Sequence, residues 1–381
     1  MNILFVTQWY PNRQQPFFGV FVREHARAVQ EAGHTVLVLA VSLHKSRELF
    51  LKKSYQYTDE YGIRTLQCEL HSRMKDVLFH LPTLQQYFLN QTYFHEKGQF
   101  TPDLIHSQVI YPAGIWGNAL ARRFNVPHVI TEHWSRLAGF SKSIYFAKGK
   151  KAYAGAGAIL PVSGFLKNSV QTLVPELNDS KFTIVGNVVD ETLFSFQNAG
   201  EKSGELVFCA IATWHHKKNP DKMPELFIDA LAALQKQLTR KLKLVIIGGG
   251  NKVAELEKRC KNAELDTRFT GFLAKEYIAE ELQKADYFVH ASTIETFSIV
   301  VAEALACGLP VICSNAGALP ELVDDSNGVL CDNNLADWTA ALEKAIATPY
   351  DRSAIASQLH QRFSHAAIGA KIAGVYQMLH L

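Results

Sequence analysis

A chain of 381 residues, 48% hydrophobic and 20% charged, is long enough for two ordinary domains and has the balance of a soluble globular protein. Its formal net charge is only +3. It has no apolar run long enough to span a bilayer and no basic–aromatic interleaving of a nucleic-acid module, so both of those classes are set aside. The six cysteines (68, 209, 260, 307, 313, 331) are scattered, with no C-x-x-C pair and no histidines at ligand spacing. Free thiols in a reducing cytosol are therefore expected, and no structural zinc. The His215–His216 pair lacks the four-residue spacing of a helical metal site, so neither metal nor cofactor is expected. A strand opening at Asn2 leaves no room for a signal peptide, and the expected location is cytoplasmic. Charge is uneven: residues 1–180 carry 19 Lys and Arg against 12 Asp and Glu. A basic front half fits an anionic partner, either a membrane surface or a phosphorylated acceptor; ordinary surface charge is the plainer alternative.

In chain order, Asn2–Thr7 reads as a buried strand, followed by a polar loop from Gln8 to Gly19. Helical spacing runs from Val20 to Ala32 (Val22, Ala26, Val29) until Gly33 stops it, and Thr35–Val41 is the next strand. This β-loop-α-β opening is the start of a nucleotide-fold domain. Gly19, at the mouth of the helix, would let backbone approach a phosphate. Leu78, Leu81, Leu84, Tyr87 and Phe88 lie among Arg73, Lys75 and His80. That segment either packs on its own sheet or forms an amphipathic element touching lipid. Strands are read at Asp103–Gln108, Val126–Thr131, Ala158–Ser163 and Lys181–Val185, with a helix over Ala113–Phe124. His106 and His133 fall at strand carboxyl ends, which face the ligand crevice in a parallel sheet.

Polar, poorly patterned Phe196–Gly204 is the linker candidate. After it, Glu205–Ala212 is a strand, Met223–Leu238 a helix and Leu242–Ile247 a strand running into Gly248-Gly249-Gly250. A dinucleotide fingerprint would need glycine at 253, which is valine, so that reading is rejected. Arg268–Phe272 is a short strand. The segment from Asp286 to Val323 then reads as strand, loop, helix (Phe297–Cys307) and strand, with Gly308 and Pro310 stopping the helix. Two carboxylates eight positions apart mark it: Glu295 before the helix and Glu303 about two turns inside an otherwise apolar one. A buried carboxylate needs a partner or a polar ligand. The amides of Thr296, Phe297 and Ser298, at a helix N-terminus, suit an anion such as phosphate. On spacing alone, a solvated Glu295 and a Glu303 that caps neighbouring backbone remain equally open.

Glu295-Thr-Phe-Ser-Ile-Val-Val-Ala-Glu303, followed by Ala306, Gly308 and Pro310 and by Ser314-Asn-Ala-Gly-Ala-Leu-Pro-Glu321, resembles the E-x7-E region of GT-B glycosyltransferases, specifically the large retaining family 4. Ala318 stands where a second glycine is usual, and Ser298 where glycine often follows the phenylalanine. Thr131-Glu-His133 resembles the family's T-x-H, and Gly186-Asn187-Val-Val-Asp190 its N-G-V-D corner.

The resemblance implies two Rossmann-like, doubly wound α/β domains facing an interdomain cleft: an acceptor-side domain over 1–195, a nucleotide-sugar domain over 204–355, and C-terminal helices over 356–381 crossing back. It implies retaining transfer of a sugar from a UDP- or GDP-sugar to a hydroxyl acceptor, a glycan or lipid-linked precursor, without metal. His133 would contact the donor sugar and Glu295 would position its ring. Glu303 would hold the ribose, and Gly271 with Phe272 would seat the base. Lys218, in the Thr213-Trp-His-His-Lys-Lys loop, would hold the diphosphate beside the Gly19 loop; no arginine occupies the usual second position. His106 is an acceptor-side candidate. A peripheral contact at the inner face of the membrane stays open. So do a sugar-nucleotide epimerase or phosphorylase of the same fold, and a non-catalytic binding protein.

Overall fold

The computed structural model describes residues 1–197, 204–216 and 221–380. Most of the linker candidate 196–204, as well as Lys217 and Lys218, lie outside the described residues. The chain divides into two compact units: Met1–Val188 with His365–Leu381, and Val189–Ser364.

Unit 1 begins with β1 (Asn2–Thr7), α1 (Val20–Glu31), β2 (Thr35–Lys45), β3 (Leu51–Thr58) and β4 (Arg64–Ser72). It continues through α2 (Lys75–Phe79), α3 (Pro82–Glu96), β5 (Leu104–Gln108), α4 (Ile115–Phe124) and β6 (His128–Glu132). It then runs through α5 (Leu137–Phe140), α6 (Phe146–Gly155), β7 (Ala158–Pro161) and α7 (Gly164–Leu173). The seven strands lie in the order β3-β4-β2-β1-β5-β6-β7. Every pairing is parallel except β3 on β4. β1, β2 and β5 are almost wholly buried, as strands covered on both faces by crossover helices must be. Lys181–Val185, expected as a strand, has only one bridge, Ile159 to Phe182, although the amides of Thr183 and Val185 donate to Ile159 and Pro161 of β7. It is extended chain along the sheet edge, with nothing further out to pair with.

Unit 2 comprises β8 (Leu206–Ile211), α8 (Pro224–Gln235), β9 (Leu242–Ile247), α9 (Val253–Asn262), β10 (Asp266–Gly271) and α10 (Lys275–Lys284). It ends with β11 (Tyr287–His290), α11 (Ile299–Ala306), β12 (Val311–Ser314), β13 (Gly328–Cys331), α12 (Leu335–Ala347) and α13 (Arg352–Phe363). Its six strands run β10-β9-β8-β11-β12-β13, all parallel. Phe208, Phe227, Leu231, Ile246 and Trp338 make up much of its core. The last helix, α14 (His365–His380), belongs to unit 1, where Ile368, Ile372 and Tyr376 are buried. All six cysteines are buried and unbridged.

These sheet orders locate the places where a ligand can sit. In unit 1 the order reverses between β1 and β5, and in unit 2 between β8 and β11. At such a switch point the crossover connections leave to opposite faces, and a crevice opens outside the carboxyl ends of the strands.

Candidate donor and sugar-contact sites

At the unit 2 switch point, three side chains meet. Residues 221–223 run along 291–293, with Met223 N–H donating to Ala291 O (3.0 Å), Thr293 N–H to Asp221 O (2.9 Å) and Ser292 Oγ–H to Asp221 O (2.8 Å). This lays Lys222 over the end of β11. Its Nζ donates to Glu295 Oε1, and the Nε2 of His290, the last residue of β11, reaches the same oxygen at 2.7 Å. Glu295 and His290 are both largely out of solvent. Burial pushes the Glu295 carboxyl up, but His290 and Lys222 outweigh it and hold the group down at about 2. Burial, together with the charge of Lys222, lowers the His290 imidazole, so at neutral pH it is an uncharged N–H donor. The trio is thus an ionised carboxylate with one cation and one neutral donor.

The loop after Glu295 is fixed by backbone. Gly317 approaches so closely that a Cβ there would lie 2.2 Å from the Glu295 carbonyl oxygen, and Ala318 N–H donates to that oxygen at 2.9 Å. α11 starts at Ile299, two residues later than the spacing suggests, because Ser298 adopts a left-handed conformation (φ 71°). That conformation is costly for a serine and free for a glycine, which accounts for the glycine the family often carries there. Of the three candidate amides, Phe297 offers only backbone: its ring is buried edge-on against Phe363 (5.1 Å). Glu303 is 7% exposed within α11.

The base-side candidates lie at the end of β10. Gly271 is left-handed with open space around it, and Phe272 is 65% exposed. The triple glycine does different work. A Cβ on Gly250 would fall 1.9 Å from the Trp214 carbonyl oxygen, and one on Gly248 the same distance from that of Ala212. These glycines therefore let the 212–214 segment cross the sheet end, a chain-packing task unrelated to a dinucleotide cradle. Trp214 is buried, with Nε1–H donating to Ile247 O (3.1 Å), so it cannot face a phosphate.

In unit 1, His133 follows β6. The preceding Glu132 is fully buried and saturated: Oε1 accepts the amides of His133 and Trp134 (3.0 Å each), Oε2 the amide of Ile110 (3.0 Å) and the hydroxyl of Tyr153 (2.7 Å). That carboxylate fixes the backbone on which His133 stands. The His133 ring is 6% exposed, packs on Phe21 (4.7 Å) and His25 (5.3 Å), and donates from Nε2 to Gln108 Oε1 (2.9 Å); Asn187 is a further side-chain partner. Burial and the neighbouring His25 and His106 hold it well below the usual histidine range, so it is neutral. His106 is different. It is fully buried, its Nδ1 bonded to the Tyr376 hydroxyl and its Nε2 to Thr131 Oγ1, both at 2.6 Å. With both nitrogens engaged in the interior it offers no atom to an acceptor, and its work is to tie α14 to the sheet. Gly19 sits at the start of α1 with φ 72°, and a Cβ would fall 2.3 Å from the Trp9 carbonyl carbon, so the loop's own closure demands glycine.

The sequence reasoning missed Lys222 and His290. For Lys222 a signal exists: Pro224, at the first turn of α8, marks where a helix opens and therefore which lysine stands just before it.

The family description Glycosyl transferases group 1 matches residues 191–367, and Glycosyltransferase Family 4 matches residues 18–193. An uncharacterized glycosyltransferase of Methanocaldococcus jannaschii is 28% identical over 288 residues, 72% of this chain and 76% of that protein. The alpha-monoglucosyldiacylglycerol synthase of Streptococcus pneumoniae is 28% identical over 278 residues, 66% of this chain and 60% of that protein. Among solved structures, sucrose-phosphate synthase of Thermosynechococcus elongatus superposes with a TM-score of 0.72 at 18% identity, covering 100% of this chain and 98% of that one. Anabaena HepE, solved in complex with UDP, gives 0.70 at 18% identity with full coverage of both. The family descriptions name transferases, which disfavours the epimerase and non-catalytic readings.

The electrostatics of the trio give a test. The folded Glu295 carboxyl lies below its unfolded value of 4.5, so it contributes stability that is complete above that pH and lost as pH falls through about 2. In Lys222→Met the Glu295 carboxyl titrates at higher pH in carbon-13 NMR and acid unfolding starts earlier; an unmoved titration contradicts the pairing.

Proposed function

Because the chain belongs to the GT-B glycosyltransferases, in the family 4-like group whose two halves it matches from residue 18 to 367, we propose that it transfers a sugar from a nucleotide-sugar to a hydroxyl acceptor with retention at the anomeric carbon. The observation that carries this is the Lys222–Glu295–His290 trio at the unit 2 switch point, ahead of the N-terminus of α11 and eight residues before buried Glu303. Lys222, balanced by Glu295 in the unliganded chain, turns to the departing diphosphate. The amides at 296–298 receive the same charge, so stabilisation of the leaving group is assigned to protein groups rather than to a metal. Glu303 takes the ribose hydroxyls, Gly271 and Phe272 the base, and Glu295 with His290 the sugar ring. The structures of HepE with UDP and with UDP-glucose support a uridine donor. Lys218 keeps the diphosphate role only as an expectation, since it lies outside the described residues. His133 keeps the role of sugar contact, as a neutral donor or acceptor rather than an acid.

We assign the acceptor to the lipid-linked class, and the chain to the cytoplasmic face of a membrane. No helix among the described residues is long and apolar enough to cross a membrane, but α2, α3 and the loop before β3 carry an uncovered apolar face. Leu49, Met74, Val77, Phe79, Leu84 and Tyr87 are all exposed there. The loop is held in place by Ser72 Oγ–H on Leu49 O (2.6 Å) and by the Phe50–Phe88 stack (5.0 Å). Arg47, Lys52, Arg73 and Lys75 lie in the same segments, against Glu48 and Asp76, and Lys52 Nζ sits 5.9 Å over the Phe88 ring. Apolar side chains with cations in the same segments match an anionic bilayer surface. The relative named for a diacylglycerol product agrees with this choice.

Two measurements test the reading. Against a panel of UDP-, GDP- and ADP-sugars, the protein slowly hydrolyses one donor, and proton NMR shows the first sugar released with the donor's anomeric configuration. Glu303→Ala weakens binding of that nucleotide about tenfold or more, and Lys222→Ala lowers turnover about a hundredfold. Parent-like variants would remove the donor assignment, and an inverted product would remove retention. In co-sedimentation, the protein pellets with phosphatidylglycerol vesicles but not phosphatidylcholine vesicles, and a folded Val77→Asp/Leu84→Asp variant stays in solution. A parent that fails to pellet at low salt contradicts the membrane assignment.

A further inference from the structure

The interior side of His133 continues into a chain of hydrogen bonds that the proposed reaction does not use. His106 and Gln108, two residues apart on β5, project to the same face of the sheet, and Thr131 of β6 lies opposite Gln108. Gln108 is fully buried and spans two imidazoles. Its Oε1 accepts from His133 Nε2 (2.9 Å), and its Nε2 faces His106 Nε2 (3.3 Å). His106 Nδ1 in turn meets the Tyr376 hydroxyl of α14, and its Nε2 the Thr131 hydroxyl, both at 2.6 Å. Packing holds the His106 ring in place, against Phe5 (centroids 4.6 Å apart) and edge-on to Tyr376 (5.7 Å).

The order of hydrogens along this chain follows from what each group can do. Burial first, and nearby histidines second, keep His106 and His133 neutral, so each ring carries one N–H. A carboxamide accepts at its oxygen and donates at its nitrogen, never the reverse. With the Gln108 oxygen on His133 Nε2, that nitrogen bears the hydrogen of its ring. The Gln108 nitrogen then needs a lone pair on His106 Nε2. The His106 hydrogen therefore sits on Nδ1 and is donated to the Tyr376 oxygen, while Thr131 Oγ–H donates to the bare Nε2. Turning the amide over would reverse both rings together. No arrangement of the bonded chain puts the hydrogen on the same-named nitrogen of both rings.

We infer that Gln108 is a positioning residue that couples the ring hydrogen of His133 to that of His106, and through it to the Tyr376 hydroxyl on α14. The consequence for the site is specific. The single N–H of His133 is spent on Gln108, so the ring has none to give to a sugar hydroxyl, and its orientation is set from the interior. The link to catalysis rests on the reading of His133 as the sugar contact. The coupling itself is a property of unit 1 and has its own measurement.

The full chain and its variants Gln108→Met and Tyr376→Phe, labelled with nitrogen-15 histidine, are compared by two-bond proton–nitrogen NMR, which places each ring hydrogen on Nδ1 or Nε2. In the parent, His133 reads as Nε2–H and His106 as Nδ1–H. Tyr376→Phe removes the acceptor of His106 Nδ1–H. That hydrogen moves to Nε2, facing Thr131, the amide turns over, and the His133 hydrogen moves to Nδ1. In a Gln108→Met background, which keeps the side-chain length without the amide, Tyr376→Phe leaves His133 unchanged. A purely structural role for Tyr376 would not reverse the tautomer of a ring with which it shares no hydrogen bond. Hydrolysis of UDP-glucose falls about fivefold or more in Tyr376→Phe, with UDP affinity within about twofold of the parent's. Any other placement of the two hydrogens in the parent overturns the inference, even where a variant fails to fold. So does a folded Tyr376→Phe protein with the parent's His133 tautomer or the parent's turnover. A parent that neither hydrolyses UDP-glucose nor binds UDP counts against the donor reading instead, and the NMR result still decides the coupling.

Discussion

A carboxylate held ionised while largely out of solvent is the constraint on which the architecture of unit 2 turns. An isolated buried charge would neutralise or would not be tolerated. Glu295 avoids this because β11 ends at His290, and because the segment before α8 is bound alongside 291–293 so that Lys222 arrives at the same oxygen. The surrounding backbone then has little freedom. Gly317 must be glycine to pass the Glu295 carbonyl, and Ser298 takes a left-handed conformation so that the chain turns into α11 at that point. Parallel strand order places all of this at the one crevice the sheet provides.

The same logic operates in unit 1 with opposite polarity. There the buried acid, Glu132, has four hydrogen-bond donors and no ligand-facing task, and it positions the backbone of His133. The histidines around it, His25 at about 4 and His106 and His133 well below their usual range, are all neutral because burial and mutual repulsion disfavour a charge there. A neutral imidazole hydrogen-bonds a sugar hydroxyl without forming an ion pair with the leaving group, which suits a contact residue better than an acid.

How much of this could be read from the residues varies with the physics involved. The β11–α11–β12 unit was plain because its apolar run is punctuated by Gly308, which takes the left-handed conformation just past α11, and by Pro310 beyond it, the usual order of signals at a helix end. The two-domain α/β architecture followed from repeated strand–helix alternation. His106 misled because a strand-end position reports where the backbone stops, while its two hydrogen bonds run to Thr131 and to Tyr376, 270 residues away in sequence. Lys181–Val185 looked like a strand because its composition is right, and it does run along β7 through two amide donors, but a single bridge is too sparse to make a ladder. Lys218 lies outside the described residues; Pro224 marks Lys222 as the lysine just before a helix, but the pairing with Ser292 that brings it to Glu295 is long-range and no local pattern encodes it.

The central claim is that the segment from Glu295 into α11 receives the diphosphate and sugar of an activated donor. Amide hydrogen exchange with and without UDP-glucose tests it most directly, because it reads that backbone without altering a residue. The account predicts slowed exchange at residues 296–300 and 271–272 on addition of the nucleotide-sugar. Protection confined to other segments, with residues 296–300 exchanging as in the free protein while the ligand is bound, would contradict it.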